Sequence, residues 1–125
     1  MVLNVLLVDD NARALESALA MLNTRDFQVT VAEDGLGALN IAKKQTFDVV
    51  LTDHKMPIMD GIALIRSLSE LPSYKQTPLV LMTTGDVAQV RSRAERIGAD
   101  HVLSKPLDKN MLLHILNSYR QRDIV

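Results

Sequence analysis

The sequence predicts an α/β domain in which five short parallel strands alternate with five helices. Short apolar runs recur along the chain, and longer stretches with helical spacing separate them, a pattern typical of strands joined by crossover helices. The 125 residues suit one domain and are too few for two of ordinary size. No internal repeat or linker interrupts the alternation, so we expect a single domain over residues 1–125.

Composition limits the classes of function that this chain can have. Hydrophobic residues make up 47% of the chain but aromatic residues only 3%, and the formal net charge is −1. These values disfavour direct nucleic-acid binding, which needs a basic surface and often stacks bases on aromatic rings. The chain has no cysteine, hence no disulfide. No apolar run approaches the roughly 20 residues that cross a bilayer, and Val2–Leu7 lacks a basic leader. We therefore expect a cytoplasmic protein without membrane contact.

The first half of the chain contains three predicted strands and two helices. The strands are expected at Asn4–Val8, Phe27–Ala32 and Asp48–Thr52, and the third is apolar on both faces, as a central parallel strand should be. The first helix is indicated by apolar residues at helical spacing, namely Leu15, Ala18, Leu19 and Leu22. Asp34 precedes Gly35 as a helix cap. The apolar residues of that second helix are Ala38, Leu39, Ile41 and Ala42.

The second half begins with a stretch, DHKMPIMDG, whose Pro57 and Gly61 predict a loop. Asp60 can cap a third helix, in which the apolar residues are Ile62, Leu64, Ile65 and Leu68. A connector from Pro72 to Pro78 leads to the fourth strand, PLVLMTT, at residues 78–84.

The last part of the chain completes the alternation. The fourth helix is expected to open at Asp86, with Gln89 three residues later as in a capping box, and to stop at Gly98. The fifth strand is predicted at His101–Ser104, and the final helix starts near Asp108. The residues that this helix is expected to bury are Leu112, Ile115, Leu116 and Tyr119.

Polar residues follow four of the predicted strands at their carboxyl ends. Asp9 and Asp10 follow the first strand, Asp53 the third and Lys105 the fifth, while Thr83 lies at the end of the fourth. Ligands of open parallel sheets bind at this edge, where the strand order reverses. For the order 2-1-3-4-5 the reversal lies between strands one and three, which puts the three acids around one crevice. Oxygen ligands of this kind favour a hard divalent ion such as Mg²⁺.

These residues together resemble the receiver domain of two-component response regulators. The similarity is carried by Asp9-Asp10, by Asp53 within DHKMPIMDG, by Thr83, and by Ser-Lys-Pro around Lys105, and it covers essentially the whole chain. It implies a (βα)₅ doubly wound, flavodoxin-like fold with the strand order 2-1-3-4-5. It also implies that the domain is a phosphoacceptor switch.

The resemblance assigns a role to each acidic residue. Asp53 is implied to be the phosphoacceptor and, with Asp10, a direct ligand of Mg²⁺. Asp9 is implied to act on the metal mainly through water, and the backbone carbonyl of Lys55 to complete the protein ligands.

The resemblance also assigns roles around the phosphoryl group. Lys105 is implied to pair with a phosphoryl oxygen, and the peptide bond before Pro106 to be cis. The switch hydroxyl falls on Thr83 and not on Thr84. One departure is Val102, because receivers often carry Tyr or Phe three residues before this lysine. A valine cannot supply the usual coupling between the threonine and an aromatic ring.

Partners follow from the same resemblance. The donor is implied to be the phosphohistidine of a histidine kinase or histidine phosphotransfer protein. A downstream output protein or domain would read the surface of the fourth helix, fifth strand and fifth helix, and phosphorylation in such domains can promote dimerisation. The chain would be a regulatory domain that assists its own phosphorylation and dephosphorylation, and not an enzyme for an external substrate.

Each residue also has an ordinary structural explanation when taken alone. Asp9 or Asp10 could cap the first helix, Asp53 could shape a turn, Thr83 could be a plain strand residue and Lys105 a solvated charge. Their joint occurrence at one sheet edge favours the functional interpretation. The histidines lack metal-ligand spacing and are expected to be structural or at the surface: His54, His101 and His114.

Other functions stay open as alternatives. A flavodoxin-like binding module needs a phosphate-cradling loop after the first strand, and DDNARA has neither glycine nor a hydroxyl there. An aspartyl-phosphate hydrolase needs a second acid two residues after its nucleophile, where this chain has Lys55. A receiver that acts by binding without phosphorylation, or a receiver fragment of a hybrid histidine kinase, would share the same motifs.

Overall fold

The structure, a computed structural model, describes residues 2–121 and contains five strands and five helices. The strands are β1 (Leu3–Val8), β2 (Phe27–Ala32), β3 (Val49–Asp53), β4 (Leu79–Thr83) and β5 (His101–Ser104). The helices are α1 (Ala12–Met21), α2 (Gly35–Lys44), α3 (Gly61–Ser69), α4 (Val87–Arg96) and α5 (Lys109–Gln121), and a 3₁₀ turn spans Pro72–Tyr74. The strands form one parallel sheet in the order β2-β1-β3-β4-β5, which confirms the predicted fold class. The predicted domain limits at residues 1 and 125 lie outside the described residues.

The sheet has a hydrophobic cluster on each face because side chains alternate along a strand. In β1, Leu6 and Val8 join a cluster with α2, α3 and α4, whereas Val5 and Leu7 join a second cluster with α1 and α5. Full burial of each such side chain stabilises the fold by roughly 1.5–3 kcal/mol. Helices on both faces therefore hold the strand ends at fixed positions, and those ends carry the polar residues.

Strand boundaries differ from the predicted ones by a single residue. β1 begins at Leu3, and β3 is shifted to include Asp53, which pairs with Met82 of β4. The shift in β3 has a local cause at its other end. Asp48 accepts a hydrogen bond from the Asn4 amide through its side chain at 2.7 Å and donates its own amide to the Asn4 carbonyl at 2.8 Å. Asp48 thus bonds to the backbone of β1 just before β3 begins, and the strand itself starts at Val49.

Three acidic helix caps are confirmed. The carboxylates accept hydrogen bonds from backbone amides in the first turn of α2, α3 and α4, as predicted for these residues: Asp34, Asp60 and Asp86. The bond of Asp86 is to the amide of Ala88 at 2.9 Å and not to that of Gln89, which donates to the Asp86 carbonyl. Each cap satisfies one amide that the helix itself leaves unpaired.

Helix α1 differs from the sequence expectation in two respects. Its cap is Asn11, whose side chain accepts from the Ala14 amide at 2.9 Å, so neither aspartate that precedes it is needed for capping. Leu15, Ala18 and Leu22 are buried, but Leu19 is 37% exposed because it lies at the margin of the apolar stripe. In α5, Leu112 and Leu116 are buried as predicted, while Ile115 and Tyr119 are only partly so.

Helix α4 is the most lightly anchored of the helices over residues 2–121. Ala94 is the one residue of α4 that is buried, although Val87 and Val90 pack partly against the core. The helix ends before Gly98, as predicted, and this glycine has φ 117. A Cβ there would lie 2.9 Å from that of Ser69, so both backbone and packing require glycine. Among these residues no helix is long and apolar enough to cross a membrane.

Candidate functional site

Three carboxylates meet at the carboxyl edge of the sheet. β1 ends at Val8, which pairs with Thr52 of β3, so the residues that follow the two strands are neighbours. One carboxylate oxygen from each of Asp9, Asp10 and Asp53 lies within 4.8 Å of the others. Asp9 is 2% exposed and Asp53 8%, whereas Asp10 is open to solvent. The structure therefore brings together the three acids that the sequence placed at this edge.

The Lys105 ammonium group lies between two of these carboxylates. Its Nζ donates to Asp9 Oδ2 at 2.8 Å and to Asp53 Oδ1 at 3.1 Å. The lysine follows β5, where its amide donates to the Thr83 carbonyl at 2.8 Å, and the bond to Pro106 is cis, as the resemblance implied. The cation offsets the repulsion of the buried acids.

Burial and charge shift the pKa values of this group. Burial is the largest influence on Asp53 and raises its pKa, the charge of Asp9 adds to the rise, and Lys105 opposes it. Burial alone would lower the pKa of Lys105, but its bonds to Asp9 and Asp53 together outweigh burial and raise that pKa. The lysine is therefore a cation throughout the physiological range.

Two backbone contacts position the acidic residues. The second oxygen of Asp9 accepts the Asn11 amide at 3.0 Å, which orients its carboxylate across the start of α1. At the start of α3, Gly61 donates to the His54 carbonyl at 2.8 Å. A Cβ on Gly61 would lie 2.1 Å from the Asp53 carbonyl oxygen, so no other residue permits this close approach. The end of the loop between β3 and α3 is thus packed against the backbone of Asp53 and His54.

The donor set fits a hard divalent cation. All three residues supply carboxylate oxygen, the ligand that Mg²⁺ prefers. Opposite ligands of octahedral Mg²⁺ are about 4.2 Å apart, and the spacing of these oxygens, within 4.8 Å of one another, is close to that distance. Lys55, whose carbonyl is the further predicted ligand, is exposed in the adjoining loop, and its role as a ligand stays a prediction.

Thr83 and His54 form a buried pair beside the acids. Thr83 Oγ1 lies 3.1 Å from His54 Nδ1 and accepts the Gly85 amide at 3.0 Å. Thr83 is 1% exposed and His54 5%, whereas Thr84 is open to solvent. Burial, followed by the positive charge of Lys55, lowers the pKa of His54, so its ring is neutral at pH 7.

Sequence reasoning did not identify the role of His54 in this pair. His54 is buried, which agrees with the structural alternative expected for it, and its ring also contacts a candidate site residue. The available signal was its position directly after a buried strand and next to Asp53. Its partner, however, lies 29 residues away in sequence, and spacing alone does not reveal such a contact.

Comparison with known proteins identifies a family that matches most of this chain. The response regulator receiver domain family matches residues 5–117. Response regulator PleD of Caulobacter vibrioides is 36% identical over 124 residues, which cover 97% of this chain and 27% of PleD. The chain spans about half or less of the length of the curated relatives that it matches.

Solved structures show the same architecture. Chemotaxis protein CheY4 of Vibrio cholerae is 30% identical, with a TM-score of 0.87 over 95% of this chain and 99% of CheY4. The receiver domain of sensor histidine kinase PA1611 from Pseudomonas aeruginosa is 27% identical, with a TM-score of 0.85 over 95% of this chain and 98% of that domain, and has a magnesium ion coordinated in its active-site cleft. With the family match over residues 5–117, this places the chain in the response regulator receiver domain family of two-component signalling.

Proposed function

We propose that Asp53 accepts a phosphoryl group from a phosphohistidine and that the domain then changes its output surface. The observation that carries this proposal is the placement of Asp53. Its carboxylate lies at the sheet edge within 4.8 Å of oxygens of two further acids and 3.1 Å from a lysine ammonium group. A carboxylate nucleophile, ligands for a cation and a separate fixed positive charge are the parts that phosphoryl transfer to a carboxylate needs.

The proposed metal is Mg²⁺. Asp10, Asp53 and the Lys55 carbonyl would hold it directly and Asp9 mainly through water. When bound, Mg²⁺ neutralises negative charge on the acceptor and on the phosphoryl group. The three clustered carboxylates support this assignment, as does the magnesium ion in the cleft of the PA1611 receiver domain.

The chemistry of the chain's own residues follows from their positions. An Asp53 oxygen attacks phosphorus in line, an O–P bond forms, and the bond from phosphorus to the donor imidazole nitrogen breaks with its electron pair left on that nitrogen. Lys105 pairs with a phosphoryl oxygen through the ammonium group that now contacts Asp9 and Asp53. Thr83 donates its hydroxyl to another phosphoryl oxygen. Contacts that exist only with the phosphate then shift the population of two conformations.

Partners are proposed from the same chemistry. A histidine kinase or histidine phosphotransfer protein supplies the phosphoryl group, and an output protein or domain reads the surface of α4, β5 and α5. Receivers within a histidine kinase and within response regulators are among the relatives. The proposal extends to one domain over residues 1–125 and to dimerisation on phosphorylation. It also includes a cytoplasmic location, with which the lack of cysteine is compatible because disulfides are rare there.

Phosphorylation by a small donor tests the proposal. The protein is incubated with Mg²⁺ and acetyl phosphate, and its intact mass is measured. We expect one base-labile phosphoryl group on the parent and none on Asp53→Asn. Asp26→Asn, at the opposite edge of the sheet, is the matched control and gains the group as the parent does. No addition to the parent, or equal addition to Asp53→Asn, would exclude Asp53 as the acceptor.

A further inference from the structure

The output helix α4 lacks the aromatic link that receivers often use. Three residues before Lys105 the chain has Val102, which is 6% exposed and packed in the core cluster with Ala94 of α4. A valine fixed in this cluster has no ring to move into space that Thr83 vacates. Any link between the Thr83 hydroxyl and α4 therefore runs through another side chain or through the backbone.

His54 contacts Thr83 directly. A hydroxyl group has one proton, and the Gly85 amide already donates to Thr83 Oγ1. His54 Nδ1 lies 3.1 Å from this oxygen. In the tautomer with the ring proton on Nε2, Nδ1 can only accept, so the Thr83 hydroxyl donates its proton to His54, and the proposal takes this tautomer. A hydroxyl that donates to His54 cannot donate to a phosphoryl oxygen at the same time. The histidine and the phosphoryl group thus compete for one proton.

His54 also shares a cavity with α4. It lines a cavity of about 360 Å³ whose other walls include Gln89, Val90 and Arg93 of that helix. Val90 is partly buried against the core, and Gln89 and Arg93 are exposed. Ala94 is the one fully buried residue of α4. Few core contacts of α4 therefore oppose a shift of the helix when the side chains that line this cavity move.

We infer that His54 is the positioning residue that couples the Thr83 hydroxyl to helix α4. This inference rests on the proposed function, since the phosphoryl group on Asp53 is what draws the hydroxyl away. A buried ring nitrogen without a partner is unfavourable, so His54 repacks toward the cavity when Thr83 leaves. Gln89 and Arg93 offer donors there, and α4 moves with them.

Three variants separate this coupling from a purely structural role. His54→Leu keeps an apolar side chain but removes the hydrogen bond. His54→Asn restores a polar group close to the position of Nδ1 and serves as the rescue. His114→Leu replaces an exposed histidine on α5 and is the matched control. Amide spectra are recorded by NMR for each protein with and without Mg²⁺ and beryllofluoride, a mimic of the phosphoryl group, and acetyl phosphate labelling is followed by intact mass.

We expect all four proteins to be labelled on Asp53. In the parent, His54→Asn and His114→Leu, the amides of residues 87–96 shift on addition of beryllofluoride. In His54→Leu the equilibrium constant for this change falls by about five-fold or more, the lower end of the range for coupled sites. If His54→Leu is labelled and its α4 amides shift as in the parent, the inference is wrong while the proposed function stands. If the parent itself is not labelled, both fail.

Discussion

At the scale of single residues, the site depends on the balance between Lys105 and two carboxylates. Side-chain exposure is 15% for Lys105, 2% for Asp9 and 11% for Asp53, so water screens these charges poorly. Removing one member of a buried ion pair is costly because the remaining charge stays buried without compensation. The lysine therefore supports the fold as well as any chemistry at the site.

Replacing Lys105 with methionine should destabilise the protein. Lys105→Met leaves Asp9 and Asp53 facing each other, and we expect a loss of about 3 kcal/mol at pH 7, the lower end for one partner of a buried pair. Because the pKa of Lys105 is raised, its contribution is complete below 10.5 and disappears as the pH rises through the higher folded value. Urea unfolding in EDTA measures the effect. Lys109→Met, at an exposed site, should change stability by less than about 0.5 kcal/mol.

Neutralising Asp53 should change the free energy of unfolding in the opposite direction to Lys105→Met. Its pKa is raised, chiefly by burial, so the ionised form opposes folding. The stability linked to its proton is complete below the unfolded pKa and is lost as the pH rises through the folded value. Because Lys105 keeps Asp9 as its partner, Asp53→Asn leaves no buried charge unpaired and should be more stable than the parent at pH 7, and the difference should vanish below the ordinary pKa of 3.8. Urea unfolding in EDTA across this range tests it, and a difference that grows in acid would contradict the assignment.

At the scale of elements, the loop between β3 and α3 contains a strained residue. Ile58 has φ 70 and is 92% exposed. A β-branched side chain is unfavourable in this left-handed region. Because the side chain is exposed, its packing contributes little stability to offset that strain. The loop is held in this shape by its ends, where Asp53 lies in β3 and Gly61 opens α3.

Glycine at position 58 should relieve the strain. We expect Ile58→Gly to be more stable than Ile58→Ala by about 1 kcal/mol, since alanine keeps the Cβ that clashes at positive φ. Thermal and urea unfolding of both variants beside the parent measure the difference. A lower stability for Ile58→Gly than for Ile58→Ala would show that the left-handed backbone is not a source of strain.

Most elements could be predicted because their signals are local. β2 and β5 have the predicted ends, and Asp34, Asp60 and Asp86 cap helices as expected. The deviations arise from contacts between distant segments. The start of β3 depends on the bonds from Asp48 to another strand, and the exposure of Leu19 depends on how far α1 is covered, which apolar spacing does not report.

The candidate site likewise has a part that the sequence could predict and a part that it could not. Parallel strands end at one edge, so the order of strands was enough to place Asp9, Asp10 and Asp53 together. The side-chain pairing of Lys105 with Asp9 and of Thr83 with His54 was not predictable. Such bonds depend on rotamers and on the free space between loops, and these are fixed only when the whole core is packed.

At the scale of the whole molecule, the sheet concentrates negative charge at one edge. Anything that binds the folded state alone stabilises it in proportion to the logarithm of its concentration. A cation among the three carboxylates would relieve the repulsion that burial of Asp9 and Asp53 creates.

Magnesium should therefore raise the free energy of unfolding. At a concentration of 100 times its Kd, Mg²⁺ should add about 2.7 kcal/mol. Asp10→Asn, which removes an exposed ligand without touching the core, should lose most of this gain, whereas Asp26→Asn should keep it. Thermal unfolding across a Mg²⁺ titration measures all three proteins. Equal stabilisation of the parent and Asp10→Asn would indicate that the ion binds elsewhere.

The ion pairs of Lys105 with Asp9 and Asp53 have a consequence for folding. Lys105 is a counter-ion within the chain, so folding buries Asp9 and Asp53 together with a compensating positive charge. Under the proposed function, the same ammonium group would exchange a carboxylate oxygen for a phosphoryl oxygen. One side chain would thus compensate buried charge in the unphosphorylated protein and bind the phosphoryl group in the phosphorylated one.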